Sequence, residues 1–169
     1  ETRALGDAAQ ATSYFAYNAH GNVTSITDPR GFVTTRTYDN LGRMLSETVP
    51  LDALTSATTS YQYDARGNRV KITDPRGNAG YFYYDGVDRL TLQVDPEGYV
   101  TETAYLIGAQ VASVKRYYNK ANNLASVSAT VKPTVTAHAQ DATTSFAYDK
   151  AYRVLSSTDA MGFTESYTY

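Results

Sequence analysis

Polar and apolar residues alternate along this chain in short runs, and turn residues interrupt the runs every ten or eleven positions. Gly31 to Tyr38 reads GFVTTRTY and Gly98 to Tyr105 reads GYVTETAY, β-branched and aromatic residues at a spacing of two. That texture predicts strands of about six residues that present alternate side chains to the two faces of a sheet. The interrupting segments share one chemistry. Asp39-Asn40-Leu41-Gly42 and Asp64-Ala65-Arg66-Gly67 place Asp first and Gly fourth, as do Asp28-Pro29-Arg30-Gly31 and Asp74-Pro75-Arg76-Gly77. In a type I turn the leading Asp accepts the backbone N–H groups that follow it, Pro presets φ at the second position, and Gly takes the left-handed φ that closes a bulged hairpin.

These signals repeat in phase. Tyr17 leads to Tyr38, Tyr63 to Tyr84, Tyr84 to Tyr105 and Tyr148 to Tyr169, each at an offset of 21 residues. Gly21, Gly42 and Gly67 stand four positions after their tyrosines. Asp28, Asp74, Asp95 and Asp159 follow at offset 11, and Gly31, Gly77, Gly98 and Gly162 at offset 14. Where the tyrosine is followed directly by an acid, that acid is Asp39, Asp64, Asp85 or Asp149, and Arg43 ends one such turn. A period this regular predicts two strands and two turns per repeat and leaves no room for an ordinary helix.

Three departures carry their own expectations. Between Tyr38 and Tyr63 the offset is 25, so four extra residues after Pro50 predict a lengthened turn. Over about residues 106–145 the pattern degenerates into an inserted stretch, with a partial restart at Tyr118 and a Thr/Ala/Val-rich run from Ser128 to Thr144. A long loop or an irregular strand pair is expected there, with a helical turn open at Ala137 to Ala142. Asp88 and Tyr152 occupy positions where other copies have Gly. A bulky residue is poorly suited to positive φ, so a different turn geometry is expected at Tyr152.

The fold class that follows is all-β: an antiparallel β-meander strip of 21-residue repeats, forming a single array over residues 1–169. Roughly seven repeats give on the order of twelve to fourteen strands, ~4.8 Å apart. A strip of that width is expected to curve or spiral, because twisted sheets rarely exceed about ten strands without curling or being covered. The chain opens at Glu1 without Met, enters through Glu1 to Ser13 without a recognisable cap, and ends at Tyr169, where the pattern calls for another Asp. The expectation is a fragment of a longer chain, with the remaining repeats as its first partner and strand edges as a route to self-association.

Composition narrows the function classes. Fifteen Lys and Arg stand against seventeen Asp and Glu, so no basic excess points to a nucleic-acid backbone. No apolar run reaches the roughly 18 residues of a membrane-spanning helix. Cysteine is absent, which removes disulfides, thiolate nucleophiles and zinc knuckles. His20 and His138 are the only histidines, and neither has metal-ligand spacing or a Ser–Asp partnership. No nucleophile elbow, P-loop or dinucleotide fingerprint is present. Catalytic, cofactor and metal residues are therefore assigned as none. A calcium ladder through Asp28, Asp74, Asp95 and Asp159 is the weaker reading, since each turn supplies one Asp whose capping role explains it. Arg30, Arg43, Arg66, Arg69, Arg76, Arg89 and Arg153 cluster near the turns, where they can pair with the turn carboxylates.

The period of 21, with YDNLGR at Tyr38 to Arg43, YDARGN at Tyr63 to Asn68, DPRG twice and DPEG at Asp95 to Gly98, resembles the YD-repeat or Rhs family. That family includes bacterial Rhs polymorphic toxins, shell components of insecticidal toxin complexes and teneurin ectodomains. The resemblance implies a β-strip that spirals into a hollow shell and, in the bacterial members, an enclosed toxin domain and a secreted or extracellular location. Self-cleavage at a DPxG core end is not carried over, because DPRGF at Asp28 to Phe32 and DAMGF at Asp159 to Phe163 lack the flanking motif. The implied function is a non-catalytic structural segment of such a shell, enclosing or scaffolding a toxin or effector. A carbohydrate-binding or adhesion surface on the tyrosine rows and a self-assembling extracellular fibre are the alternatives. The turn assignment makes a direct prediction. Gly67→Val will lower the melting temperature more than Ala65→Val, by the equivalent of roughly 1–3 kcal/mol, because only position 67 needs positive φ; equal melting temperatures would remove the assignment.

Overall fold

The computed structural model describes residues 12–169, and the entry segment from Glu1 falls largely outside them. Thirteen antiparallel strands form one open sheet whose strand order is the chain order, the arrangement expected when every connection is a hairpin. The chain divides into two compact units, Glu1–Ser60 and Tyr61–Tyr169.

The first unit holds β1 (Tyr14–Tyr17), β2 (Val23–Thr27), β3 (Val33–Tyr38), β4 (Met44–Pro50) and most of β5 (Ser56–Tyr63). Its turns have the expected hairpin form. The Gly31 amide donates to the Asp28 carbonyl at 2.9 Å and the Asp28 amide to the Phe32 carbonyl at 2.9 Å, while Gly31 takes φ 87°. The four extra residues before Tyr63 do not lengthen the turn as expected. Leu51 donates its amide to Thr55 across the same five-residue frame, and β4 and β5 run to seven and eight residues where β2 and β3 have five and six. The β-branched and Ser residues there continue the ladder, Val49 against Ala57 and Thr48 against Thr58, so pairing absorbs the insertion.

The second unit continues with β6 (Arg69–Thr73), β7 (Ala79–Tyr84), β8 (Leu90–Val94), β9 (Tyr99–Tyr105), β10 (Val111–Lys120), β11 (Ala142–Tyr148), β12 (Val154–Thr158) and β13 (Thr164–Ser166). The turn at Tyr152 keeps the common geometry, contrary to expectation. Tyr152 sits at φ 63° and donates its amide to the Asp149 carbonyl at 3.0 Å. The Asp149 carboxylate takes the amides of Ala151 and Arg153 and the guanidinium of Arg153, and these bonds outweigh a left-handed cost of about 1–2 kcal/mol. Asp88, also at φ 63°, is held by the Asn68 amide group at 2.7 Å.

Residues 106–145 preserve the meander. The Leu106 amide donates to the Gln110 carbonyl at 3.0 Å in the usual turn frame, and β10 follows in place. The excursion is confined to the hairpin end between β10 and β11. It contains a 3-10 turn at Leu124–Ser126 and, within Ala137 to Ala142, a single hydrogen-bonded turn in which the Asp141 amide donates to the His138 carbonyl at 3.0 Å. The Asp141 carboxylate gathers the amides of His138 and Tyr118 and the Lys115 ammonium, which fixes that turn against β10.

This strap, residues 121–141, folds across one face of the sheet and creates the buried core of the described residues. Val94 and Val100, paired across β8 and β9, are each 1% exposed beneath Val127 and Ala121. Tyr83 is buried with them, its hydroxyl within reach of the Ser128 and Val131 carbonyls at 2.7 and 2.8 Å. Val100→Ala will destabilise the protein by about 1–3 kcal/mol in chemical denaturation, whereas Val33→Ala, at a position 44% exposed, will cost well under half as much.

Candidate functional site

The recurring residues converge at the turns that follow the tyrosines. Asp39, Asp64, Asp85 and Asp149 each accept two backbone amides on Oδ1, from the residues two and four positions on, at 2.8–3.0 Å. Asp28, Asp74, Asp95 and Asp159 do the same at the opposite ends of the strands. Gly21, Gly42, Gly67, Gly77, Gly98 and Gly162 all have positive φ. Both sets of predicted turn residues thus serve the local backbone.

The strand pairing shifts register at each of these tyrosines. Tyr17, Tyr38, Tyr84 and Tyr148 face Val23, Met44, Leu90 and Val154, and the next residue back along the strand pairs two positions further on. One extra residue therefore bulges opposite every tyrosine, and a bulge locally disrupts the ladder. The tyrosine of the following repeat supplies a partner there. Tyr38 donates its hydroxyl to the Val23 carbonyl at 2.8 Å, Tyr84 to Arg69 at 3.1 Å, Tyr105 to Leu90 at 3.0 Å and Tyr169 to Val154 at 3.0 Å. Tyr148 makes the same bond to Val111 at 2.9 Å although the strap intervenes in sequence.

Arginine adds a second link. Arg43, Arg89 and Arg153 direct Nε at the Oδ2 of Asp39, Asp85 and Asp149 at 2.6–2.7 Å. The guanidinium of Arg89 also lies 4.6 Å from the ring centre of Tyr105, and that of Arg153 lies 4.5 Å from Tyr169. The Asp85–Arg89 and Asp149–Arg153 pairs thereby hold the ring whose hydroxyl bonds the carbonyl just beyond the arginine. Arg89 further donates to the carbonyls of Leu106 and Gly108, bracing a turn that lacks the leading Asp. The repeated arginine was legible in the sequence. The bulge was expected from the turn glycines, but the carbonyl that each hydroxyl finds was not legible, because backbone acceptors leave no side-chain signature.

The electrostatics follow from these contacts. The Arg89 amide, followed by its side chain and the Val87 amide, holds the Asp85 carboxyl below its ordinary 3.8 against the opposing effect of partial burial. The Arg153 amide does the same for Asp149. His20 occupies an exposed turn, and His138 stacks on Tyr118 at 4.5 Å between ring centres. Among the described residues, no group of three or more His, Asp or Glu is placed to hold a metal ion, and no helix is long and apolar enough to cross a membrane.

Comparison with known families gives this ladder a context. The RHS repeat family model matches residues 17–54 and 51–79. Residues 17–79 match RHS repeats. Beyond residue 79 the same hydroxyl–carbonyl link continues at Tyr84, Tyr105, Tyr148 and Tyr169. No curated protein sequence matches significantly. Among solved structures, the chain superposes on TcdB2-TccC3-Cdc42 with a TM-score of 0.65 at 17% identity, and on TcdB2-TccC3 at 0.65 and 18%. The Photorhabdus luminescens Tc holotoxin pore gives 0.64 and 17%. Each match covers 88% of this chain and 7% of the other, so the chain spans a small part of those proteins and shares their fold.

The lowered carboxyls give the strand array an acid-sensitive contribution. A carboxyl whose folded pKa lies below its unfolded value near 3.8 stabilises the fold above that pH, and the contribution is lost as pH falls through the folded value. Thermal melts between pH 5 and pH 2 will show a steep decline below about pH 4. The decline will be shallower in Asp85→Asn, and identical profiles would refute a role for this carboxylate.

Proposed function

We propose that this RHS-repeat chain is a non-catalytic structural segment of a larger secreted shell, a single array that curves with its neighbouring repeats around a toxin or effector domain. The observation that carries the proposal is the ladder. The residue types that recur most regularly, Tyr, Asp and Arg, are engaged in holding one repeat to the next. Their chemistry is directed inward to the scaffold. The shared fold with TcdB2-TccC3 supports a place in an extended assembly.

A sheet with this many strands has two long-range uses, to enclose or to present. The aromatic rows give less support to a sugar-stacking surface. Arg69 lies over both Tyr61 and Phe82, Lys71 over Tyr81, Lys115 over Tyr117 and Lys120 over Tyr99, so one face of each ring is occupied by a cation of the protein itself. Self-association through strand edges remains part of the proposal, since unpaired edges seek partners.

Limited proteolysis of the parent polypeptide tests the enclosing role. A domain carried within the shell will resist protease in the native protein and become cleavable when the ladder is weakened by Tyr105→Ala with Arg89→Ala. Equal cleavage before and after the substitutions would count against enclosure.

A further inference from the structure

The strap creates a cleft at the margin of the buried core, with Tyr84 and Asp85 of the ladder along one side. It lies wholly in the second unit, between residues 132–135 and the sheet face of β8 to β10, and has a volume of about 480 Å³. Leu92, Val100 and Val135 supply apolar lining, and Tyr117 forms part of the wall. Pockets of roughly 300–1,000 Å³ with an apolar lining and a few fixed polar groups are the usual form of a small-molecule site.

Three charged residues line this cleft, and one of them, Asp85, is already paired with Arg89 at 2.7 Å and capped by two backbone amides, which leaves Glu102 and Lys132 as the opposed pair. Glu102 lines one part, and its carboxylate accepts the Tyr117 hydroxyl at 2.6 Å, which fixes its position. Lys132 lines another. Its backbone is braced, because its carbonyl accepts the Asn123 side-chain amide at 3.1 Å while the Asn122 amide donates to the Thr134 carbonyl at 2.8 Å. The Lys132 ammonium makes no hydrogen bond or ion pair among the described residues, and it forms no salt bridge with Glu102 across the shared cleft. The two groups are therefore separated charges over an apolar lining, complementary to a molecule with the same elements in reverse.

We propose that this cleft binds a small zwitterion with an apolar body, of the class of an apolar dipeptide, with its ammonium at Glu102, its carboxylate at Lys132 and its side chains against Leu92, Val100 and Val135. Opposed charges at the two ends select orientation, and the apolar lining selects the side chains. Neither sheet nor strap alone supplies both charges. Occupancy bridges the strap to the strands and raises the melting temperature by linkage. The assignment is tested apart from the structural role, because Glu102 and Lys132 make none of the hydroxyl–carbonyl or Asp–Arg links of the ladder, although Tyr84 and Asp85 line one side of the cleft.

The probe is leucyl-leucine at pH 7, titrated into the labelled protein and followed by amide chemical shifts. Saturable shifts at Val100, Glu102 and Lys132 at millimolar concentration are expected. Affinity will fall at least tenfold in Lys132→Met, and at least tenfold for the same peptide acetylated at its amine and amidated at its carboxylate. Because Glu102 also holds Tyr117, Glu102→Gln is read beside Tyr117→Phe: the first will weaken binding at least tenfold and the second less than threefold, with the strand signal in circular dichroism retained in all variants. No saturable shift, equal binding of the capped peptide, or an unchanged affinity in Lys132→Met would overturn the proposal.

Discussion

At the turns led by Tyr17, Tyr84, Tyr105 and Tyr148 the bulge interrupts the strand ladder, and the carbonyl facing the tyrosine takes its hydrogen bond from the tyrosine of the following repeat. The hydroxyls of Tyr38, Tyr84, Tyr105, Tyr148 and Tyr169 fill that role in the same register. These bonds are part-buried or exposed, so each contributes about 0.5–1.5 kcal/mol net and ties the bulge to the tyrosine that follows it. A repeat that lost its tyrosine would expose the acceptor of the repeat before it. The array is thus stabilised by nearest-neighbour terms, as expected of repetitive folds.

The Asp–Arg pair makes that link directional. Asp85 closes its own turn through two amides and fixes Arg89, whose guanidinium then lies over the ring of Tyr105 while Leu90, the next residue, receives that ring's hydroxyl. Exposed ion pairs in isolation contribute little. Here the geometry is set by the turn, so the pair positions a ring and its hydrogen bond as well as supplying attraction.

A meander built only from such links has two wide faces and little interior. The strap between β10 and β11 changes this locally by covering Tyr83, Val94 and Val100, and it is anchored at its return by Asp141, whose carboxylate joins Lys115, Tyr118 and His138. Covering one face gives the second unit a conventional hydrophobic core and, at the margin of the strap, a cleft with mixed chemistry. The same insertion therefore accounts for both the buried core and the candidate ligand site.

The sequence by itself determined the strands, the turns and their repetition. Gly67 and Asp64 announce a bulged type I turn wherever they occur, because positive φ and amide capping are local requirements fulfilled within five residues. Tyrosine recurring four times at an offset of 21 announced a row, and Arg43 a turn partner. Tertiary structure alone decided what the row does, since the acceptor of Tyr105 is the backbone of Leu90, and a carbonyl looks the same in every residue. Tyr152 was misleading for a related reason: its left-handed geometry is imposed by Asp149 and Arg153, not by its own preference. The four residues before Tyr63 entered strands instead of a turn because both sides of a hairpin can lengthen together at no loss of pairing. The strap was the least legible part. Its Thr, Ala and Val residues carry no period, and only contact with Tyr83 and the valines beneath it fixes where they lie.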